Sequence, residues 1–185
     1  MRSWIPYSDF FMEWNFKKEG FFVGGKFPLP NLSKGMHDIM RQWWWHYAPP
    51  NPSVLLVSET NETKKVFEGV YPTWSFTTLN MDSDADIVHD ILTPIAFKFD
   101  LIINQAMLEH CYDPFGAMKN MFNMLTTNGI IVSHTHVPGF PEHRYPRDYF
   151  RFMSDWWVDL KNHFNVVLLE HYQDKDHVFT CYRKL

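Results

Sequence analysis

The chain has 185 residues, 45% hydrophobic and 21% charged, with a net charge of -4. That length fits one domain able to bury a substantial core, and the charge balance lacks the basic footprint of a nucleic-acid binder. No stretch reaches the roughly 20 apolar residues of a membrane span, and Cys111 and Cys181 have neither metal nor redox spacing. They read as free thiols of a reducing compartment, so a cytoplasmic protein with no membrane partner is expected.

Residues 1–30 are aromatic and irregular, with a candidate strand or hairpin at Phe21-Phe22-Val23-Gly24-Gly25-Lys26-Phe27. They read as a flap. Residues 33–47 predict a helix capped by Ser33, with Met36, Met40, Trp43 and Tyr47 on its inner face. Pro49, Pro50 and Pro52 end it. The expected organisation is therefore a single domain, 1–185, in which a flap and helix (1–50) precede a core (51–185). Aromatic residues make up 18% of the chain. A small core does not need that many, so some rings are expected to line a pocket or an interface.

Val54 to Val57 is a short apolar strand, followed by Ser58-Glu59-Thr60-Asn61-Glu62 without a glycine. The absence of G-x-G-x-x-G argues against a nicotinamide dinucleotide. A short helix at 63–68 is expected to close on Gly69, and a second strand covers 75–81. Residues 99–103 form an apolar strand of the kind buried on both faces. At its end stand Asn104, Gln105 and Ala106, then Leu108-Glu109-His110, and that edge is where open α/β sheets bind ligands. Asp113 is a helix N-cap with Pro114 at the first helical position. Phe115, Met118, Phe122 and Leu125 form the helix's apolar stripe, and Asn128-Gly129 its left-handed stop.

Residues 130–137 are the next strand, where period-2 alternation puts His134 and His136 on one side. Residues 138–151 form a loop rich in Pro, Arg, His and Asp. Ser154 then caps a last helix with Trp157, Leu160 and Phe164 inward, and strands at 166–170 and 178–182 finish the chain around a turn at 174–176. Strand, crossover helix, strand is the grammar of a parallel sheet. His134, His136 and His143 could make a metal hydrolase, but the spacing is loose and no cysteine completes a zinc set. No metal is assigned; histidines that contact substrate or accept a proton fit the pattern better.

Several of these residues carry a family resemblance. The run Phe99-Asp100-Leu101-Ile102-Ile103, the Leu108-Glu109-His110 loop, Asp113-Pro114 and a helix ending in L-x-x-x-G resemble strands four and five of class I S-adenosylmethionine (SAM)-dependent methyltransferases of the type 11 kind. The segment Tyr145-Pro146-Arg147-Asp148-Tyr149-Phe150-Arg151-Phe152 is similar to a P-x-D-Y-x-R-F segment in one branch of that family. The resemblance implies an α/β fold: a Rossmann-like, mostly parallel sheet with an antiparallel C-terminal strand and helices on both faces. It also implies SAM as cofactor, lying over the ends of strands one, two and four. Ser58, Glu59 and Thr60 then occupy the first loop, and Asn80 or Asp82 stands at the ribose. Asp90, from Asp86-Ile87-Val88-His89-Asp90-Ile91, meets the adenine amino group, its alternative role being to cap the following turn, and Ile91 packs on the ring. Asn104, Gln105 and Ala106 lie beside the cofactor.

Two departures stand out. The first loop has no glycine, and Leu56 occupies the position where the family carries an acid. Either small polar residues still admit SAM, or the chain is a non-catalytic binding module that has lost its cofactor. The leading expectation is an O-methyltransferase acting on a hydroxyl of a sugar, glycan or related small molecule, with no nucleic-acid partner. His136 ranks first as general base and His110 second, the alternative for His110 being a structural hydrogen bond that shapes its loop, with Asp148 orienting a histidine or acting as base itself. His134, His143, Arg147 and Arg151 are candidates to hold substrate oxygens, with internal pairing to Asp148 as the alternative for Arg151.

Overall fold

The structure is a computed structural model describing residues 34–81, 84–144 and 147–185, with side chains from Asp38 onward. The expected flap at 1–30, the hairpin at 21–27 and the Ser33 cap lie outside the described residues, as do Asp82, Tyr145, Pro146 and the side chain of Met36. Residues Leu32–Leu185 form one compact unit.

Its elements run α1 (Lys34–Tyr47), β1 (Ser53–Val57), α2 (Asn61–Val70), β2 (Ser75–Asn80), β3 (Ile87–Val88) and β4 (Phe99–Gln105). A 3-10 turn (Leu108–His110) follows, then α3 (Pro114–Met124), β5 (Leu125–His136), α4 (Ser154–His163), β6 (Val166–Gln173) and β7 (His177–Lys184). The seven strands form one sheet in the order β3-β2-β1-β4-β5-β7-β6. All neighbours are parallel except those of β7, which is antiparallel to both β5 and β6. Chain order reverses between β1 and β4, the position at which open α/β sheets have their ligand crevice.

The central strands are apolar on both faces because both are covered. Leu55, Ile102 and Ile131 pack with Met118, Met121, Trp157 and Leu160 of α3 and α4. The alternate residues Val54, Leu56, Leu101, Ile130 and Val132 point the other way and are equally buried, as are Met40 and Trp44 of α1. The expected inner face of α1 is shifted by one residue: Trp44 is 1% exposed, whereas Trp43 is only half-buried. Trp44 can go inside because its indole N–H donates to the Tyr71 hydroxyl at 3.2 Å, which satisfies the polar edge of a buried ring. Tyr47 instead donates its hydroxyl to Glu170 at 2.5 Å. Trp45, Trp74 and Tyr71 stack in series, and Phe67 and Phe76 join them. Many of the surplus rings therefore build the shell between α1, α2 and β2 rather than a pocket.

Local chemistry sets the other boundaries. Thr60 caps α2, accepting from the Thr63 amide, and Gly69 lies inside that helix rather than ending it. Asp113 caps α3 as expected, accepting from Gly116 at 2.9 Å, with Pro114 in the first turn. The Asn128-Gly129 pair is not the stop of that helix. α3 ends at Met124 and β5 begins at once. Asn128, at φ +64, and Gly129 form a kink inside the strand, beside the register shift between Phe99 and Leu101. A Cβ on Gly129 would stand 2.9 Å from the Thr126 carbonyl oxygen and 3.2 Å from that of Asp100, so close approach requires glycine there. Phe115 is 40% exposed, and Ala117 and Met121 take its place in the stripe. α4 begins after Met153 without a side-chain cap; the Ser154 hydroxyl donates to Gln173 in β6 instead.

Asp100 ties the amino ends of three strands together. Its carboxylate accepts from the Ser53 amide (3.0 Å), the Ser53 hydroxyl (2.8 Å) and the Thr126 hydroxyl (2.9 Å). Burial alone would raise its pKa, but the bonds from Ser53 and Thr126 outweigh burial and hold the carboxyl below its ordinary value. A depressed acid stabilises the fold above its unfolded pKa of about 3.9, and that contribution is lost as pH falls below it. Asp100→Ala should cost about 1–3 kcal/mol in urea unfolding near neutral pH, and the difference from the parent should shrink on acidification below about pH 4. A difference independent of pH would show that the carboxylate charge is not what matters.

Candidate active site at the carboxyl edge of the sheet

The carboxyl ends of β1, β2, β4 and β5 meet on one edge, and most of the residues singled out from the sequence gather there. Val57 pairs with Leu79 on one side and Asn104 on the other, so Ser58 emerges between the ends of β2 and β4. Ser58 has φ +62, and Ala106, at the end of β4, has φ +46. Two adjacent strands thus leave the sheet through left-handed residues, a conformation costing a non-glycine residue roughly 1–2 kcal/mol. The backbone after β1 has the turn a glycine would allow, made with serine and held by the Ser58 amide donating to the Leu79 carbonyl at 2.7 Å.

The other cofactor candidates are placed as follows. Glu59 is half-buried, and burial pushes its carboxyl up, against a side-chain hydrogen bond with Thr63. Thr60 is occupied as the cap of α2. Asn80 ends β2, its carbonyl accepting from His89. Asp90 is exposed, and one of its carboxylate oxygens accepts from the Leu92 amide at 2.9 Å, closing a turn. Ile91 is 7% exposed and belongs to the core. Asn104 is wholly buried, its amide 3.5 Å from the Ser133 hydroxyl and its Oδ1 without a hydrogen-bond partner. Gln105 is half-buried beside it. Asp86, in the same motif as Asp90, is structural: it binds Lys64 at 2.7 Å and the Thr78 amide at 3.0 Å, joining α2 to β2. A separate hollow of about 340 Å3 lies between Tyr47, Asp100, Asn128 and Arg183. It is at the opposite edge, where parallel sheets do not place their chemistry.

Past the end of β4 the centre of the site is Glu109, which the sequence reading noted without giving it a role. Its residue is 0% exposed. Oε2 accepts from the Thr135 hydroxyl at 2.5 Å, and Oε1 has no hydrogen-bond partner. His136 Nε2 lies 3.3 Å from that Oε1, and His143 Nε2 3.8 Å. Burial pushes the Glu109 carboxyl up, despite the bond from Thr135. Burial, and then the charges of His143, His177 and Arg151, push His136 down to about 4. His136 is 6% exposed and stacks on Phe140 at 3.7 Å. That access is too narrow for a base that must meet an acceptor, which removes the reason for ranking it first.

His110 is more open. Its Nδ1 lies 2.5 Å from the Arg147 carbonyl. A carbonyl oxygen only accepts, so Nδ1 carries the proton and Nε2 keeps its lone pair. The His143 ring lies 4.9 Å from the His110 ring. His134, on the same side of β5 as His136, is fully buried and hydrogen-bonded to His177 at 3.0 Å; it has no solvent-facing surface.

Residues 138–151 are shaped by a buried charge pair. Both Asp148 oxygens are bound by the Arg151 fork at 2.5 Å, and Oδ2 also accepts from the His143 amide at 2.8 Å. The Arg151 bonds, ahead of the opposing effect of burial, hold the Asp148 carboxyl well below the usual carboxylate range. Arg151 further donates to the carbonyls of Phe140, Phe150 and Pro141. Asp148 therefore has no proton affinity to offer a substrate, and Arg151 no donor: the alternative in which the two pair internally is the one observed. Arg147 is exposed, donating to the Tyr149 hydroxyl at 3.3 Å. Among the described residues, two sets of side chains are close enough to hold a metal ion: Glu109, His136 and His143, and His134, His136 and His177.

No protein-family model matches the sequence, and no curated protein does. The fold, by contrast, is shared with solved structures. The N-methyltransferase NodS from Bradyrhizobium japonicum superposes with a TM-score of 0.60 at 16% identity, over 82% of this chain and 95% of that one. The 1,6-didemethyltoxoflavin-N1-methyltransferase of Burkholderia thailandensis, solved with its substrate and S-adenosylhomocysteine, gives a TM-score of 0.66 at 11% identity, over 96% and 86%. The [4+2]-cyclase SpnF gives 0.62 at 10% identity, over 88% and 86%. The chain has the class I SAM-dependent methyltransferase fold, with its expected mostly parallel sheet and antiparallel strand.

Proposed function

We propose that this chain transfers a methyl group from SAM to a hydroxyl of a sugar, a glycan or a related small molecule. The observation that carries the reading is His110: an imidazole at the carboxyl edge of β4, its tautomer fixed by the Arg147 carbonyl so that Nε2 can take a proton. Methyl transfer from a sulfonium needs the acceptor held in line and, for a hydroxyl, a group to receive its proton. No covalent enzyme intermediate is required. In this reading SAM lies over Ser58, Asn80, Asp90 and Gln105. The exposed Arg147 and half-buried His143 hold acceptor oxygens, and exposed rings such as Tyr149 cover a sugar face. Fold-sharing methyltransferases act on varied small molecules, which supports the reaction class and leaves the acceptor to the chemistry of the site.

A second reading has its own support. Residues 58–62 contain no glycine, Thr60 is spent as a cap, and a cyclase uses the same fold. A binding module that has lost its cofactor fits those facts.

Calorimetry with SAM and S-adenosylhomocysteine separates the two readings. The methyltransferase reading expects a Kd in the micromolar range or weaker, about -8 kcal/mol or less favourable, because serine and glutamate crowd the first loop. Asp90→Ala should weaken it by about 1–3 kcal/mol. No binding at all leaves the module; unchanged affinity in a folded Asp90→Ala protein takes Asp90 out of the site.

For the base, methyl transfer should be assayed on mono- and oligosaccharides, nucleotide sugars and small phenols. His110→Ala should lower kcat by roughly 10²–10⁴-fold with SAM binding intact. Full activity in that variant would reassign the base, and transfer only to phenols or amines would remove the sugar acceptor.

A further inference from the structure

We propose that Glu109, His136 and His143 bind one divalent transition-metal ion, of the zinc, cobalt or iron type. The first ground is the unused oxygen. A carboxylate oxygen buried this completely is costly unless something positive meets it. Here two imidazole nitrogens approach Oε1 at 3.3 and 3.8 Å, yet neither makes a hydrogen bond to it. A protonated imidazole serving as the partner would point its N–H at the oxygen.

The second ground is the separation of the three donors. Their ligand atoms all lie within 4.8 Å of one another. Ligands held about 2.0–2.2 Å from a tetrahedral ion stand roughly 3.3–3.6 Å apart; the His136 contact with Glu109 is already at that distance, at 3.3 Å, and the His143 contact, at 3.8 Å, needs only a small inward movement of a half-exposed ring. Two imidazoles and a carboxylate suit zinc and its neighbours rather than magnesium or calcium, which take oxygen ligands.

The surroundings support the same three residues. Asp148 Oδ2 accepts from the His143 amide at 2.8 Å and stands 3.5 Å from its Nδ1, fixing the backbone of that ligand and placing a carboxylate behind its ring. Asp148 is fixed in turn by Arg151. Phe140 holds the His136 ring by stacking, and Thr135 holds the other Glu109 oxygen. The neighbouring set, His134, His136 and His177, is the weaker candidate because His134 and His177 already bond each other. A bound ion would take the His143 nitrogen that the methyl-transfer reading gives to acceptor oxygens; metal titration and SAM titration read the two proposals separately.

The test uses the full chain stripped of metal by a chelator and then titrated with Zn(II) by calorimetry and with Co(II) by visible absorption. One equivalent should bind, with a Kd micromolar or tighter, and the Co(II) bands should report nitrogen and oxygen ligands. Mg(II) should not compete. His143→Ala, at a half-exposed position, should weaken binding at least tenfold without changing the circular dichroism spectrum, and Glu109→Gln should do the same if it folds. His177→Ala should stay within about twofold of the parent. The proposal is overturned if no stoichiometric binding occurs, if Mg(II) binds equally well, or if His143→Ala leaves affinity unchanged. A loss of affinity confined to His177→Ala would move the site to the other set.

Discussion

A carboxylate cut off from water governs the carboxyl edge of β4 and β5. Removing Glu109 from solvent costs several kcal/mol unless its surroundings compensate, and two segments, β5 and the loop after it, contribute. β5 supplies Thr135 and His136, the loop after it supplies His143, and the Glu109 carbonyl accepts from the amides of Tyr149 and Phe150 at 2.8 and 3.3 Å. The same residue therefore anchors the loop through its main chain and collects imidazoles through its side chain. The Asp148–Arg151 pair performs the complementary task, closing 138–151 on itself through five guanidinium bonds. A loop this polar would otherwise lose its shape to solvent. Here the Asp148 and Arg151 charges are consumed internally, and His110, His143 and Arg147 remain accessible beside the exposed Glu142–Arg144 pair.

The edge above β1 and β2 rests on a different compromise. Enzymes with this fold use glycines after the first strand so that the backbone can turn sharply and approach the ligand. This chain keeps the turn and gives up the glycine: Ser58 and Ala106 adopt positive φ on neighbouring strands. Side chains then occupy space at the crevice, and a half-buried Glu59 sits next to it. The fold is consequently a firmer conclusion than the reaction. A sheet order recurs across methyltransferases and a cyclase, and function is set by the groups at its edge.

Much of the architecture was legible in the sequence because it rests on short-range rules. Apolar runs of strand length, Asp113-Pro114 at a helix start and the 174–176 turn are local signals, and each element appears where those signals put it. Alternation along β5 correctly paired His134 with His136, whose rings lie 5.3 Å apart. Errors arose where two local readings compete and a distant partner decides. Asn128-Gly129 fits a helix stop or a strand kink equally well, and the Thr126 bond to Asp100, 26 residues away, selects the kink. Trp43 and Trp44 have the same chemistry; only the Tyr71 hydroxyl decides which goes inside.

The site follows the same division. The sequence determined which titratable residues follow β4 and β5, because strand ends in a parallel sheet share one edge. It did not determine their roles. Glu109 reads as a loop acid beside Leu108, and nothing within ten residues announces that Thr135, His136 and His143 will close over it. His136 and His110 look equivalent as bases until burial against Phe140 removes one and the Arg147 carbonyl fixes the tautomer of the other. Access to solvent, hydrogen-bond partners and the field of neighbouring charges are sums over residues far apart in the chain, so only the tertiary structure could decide them.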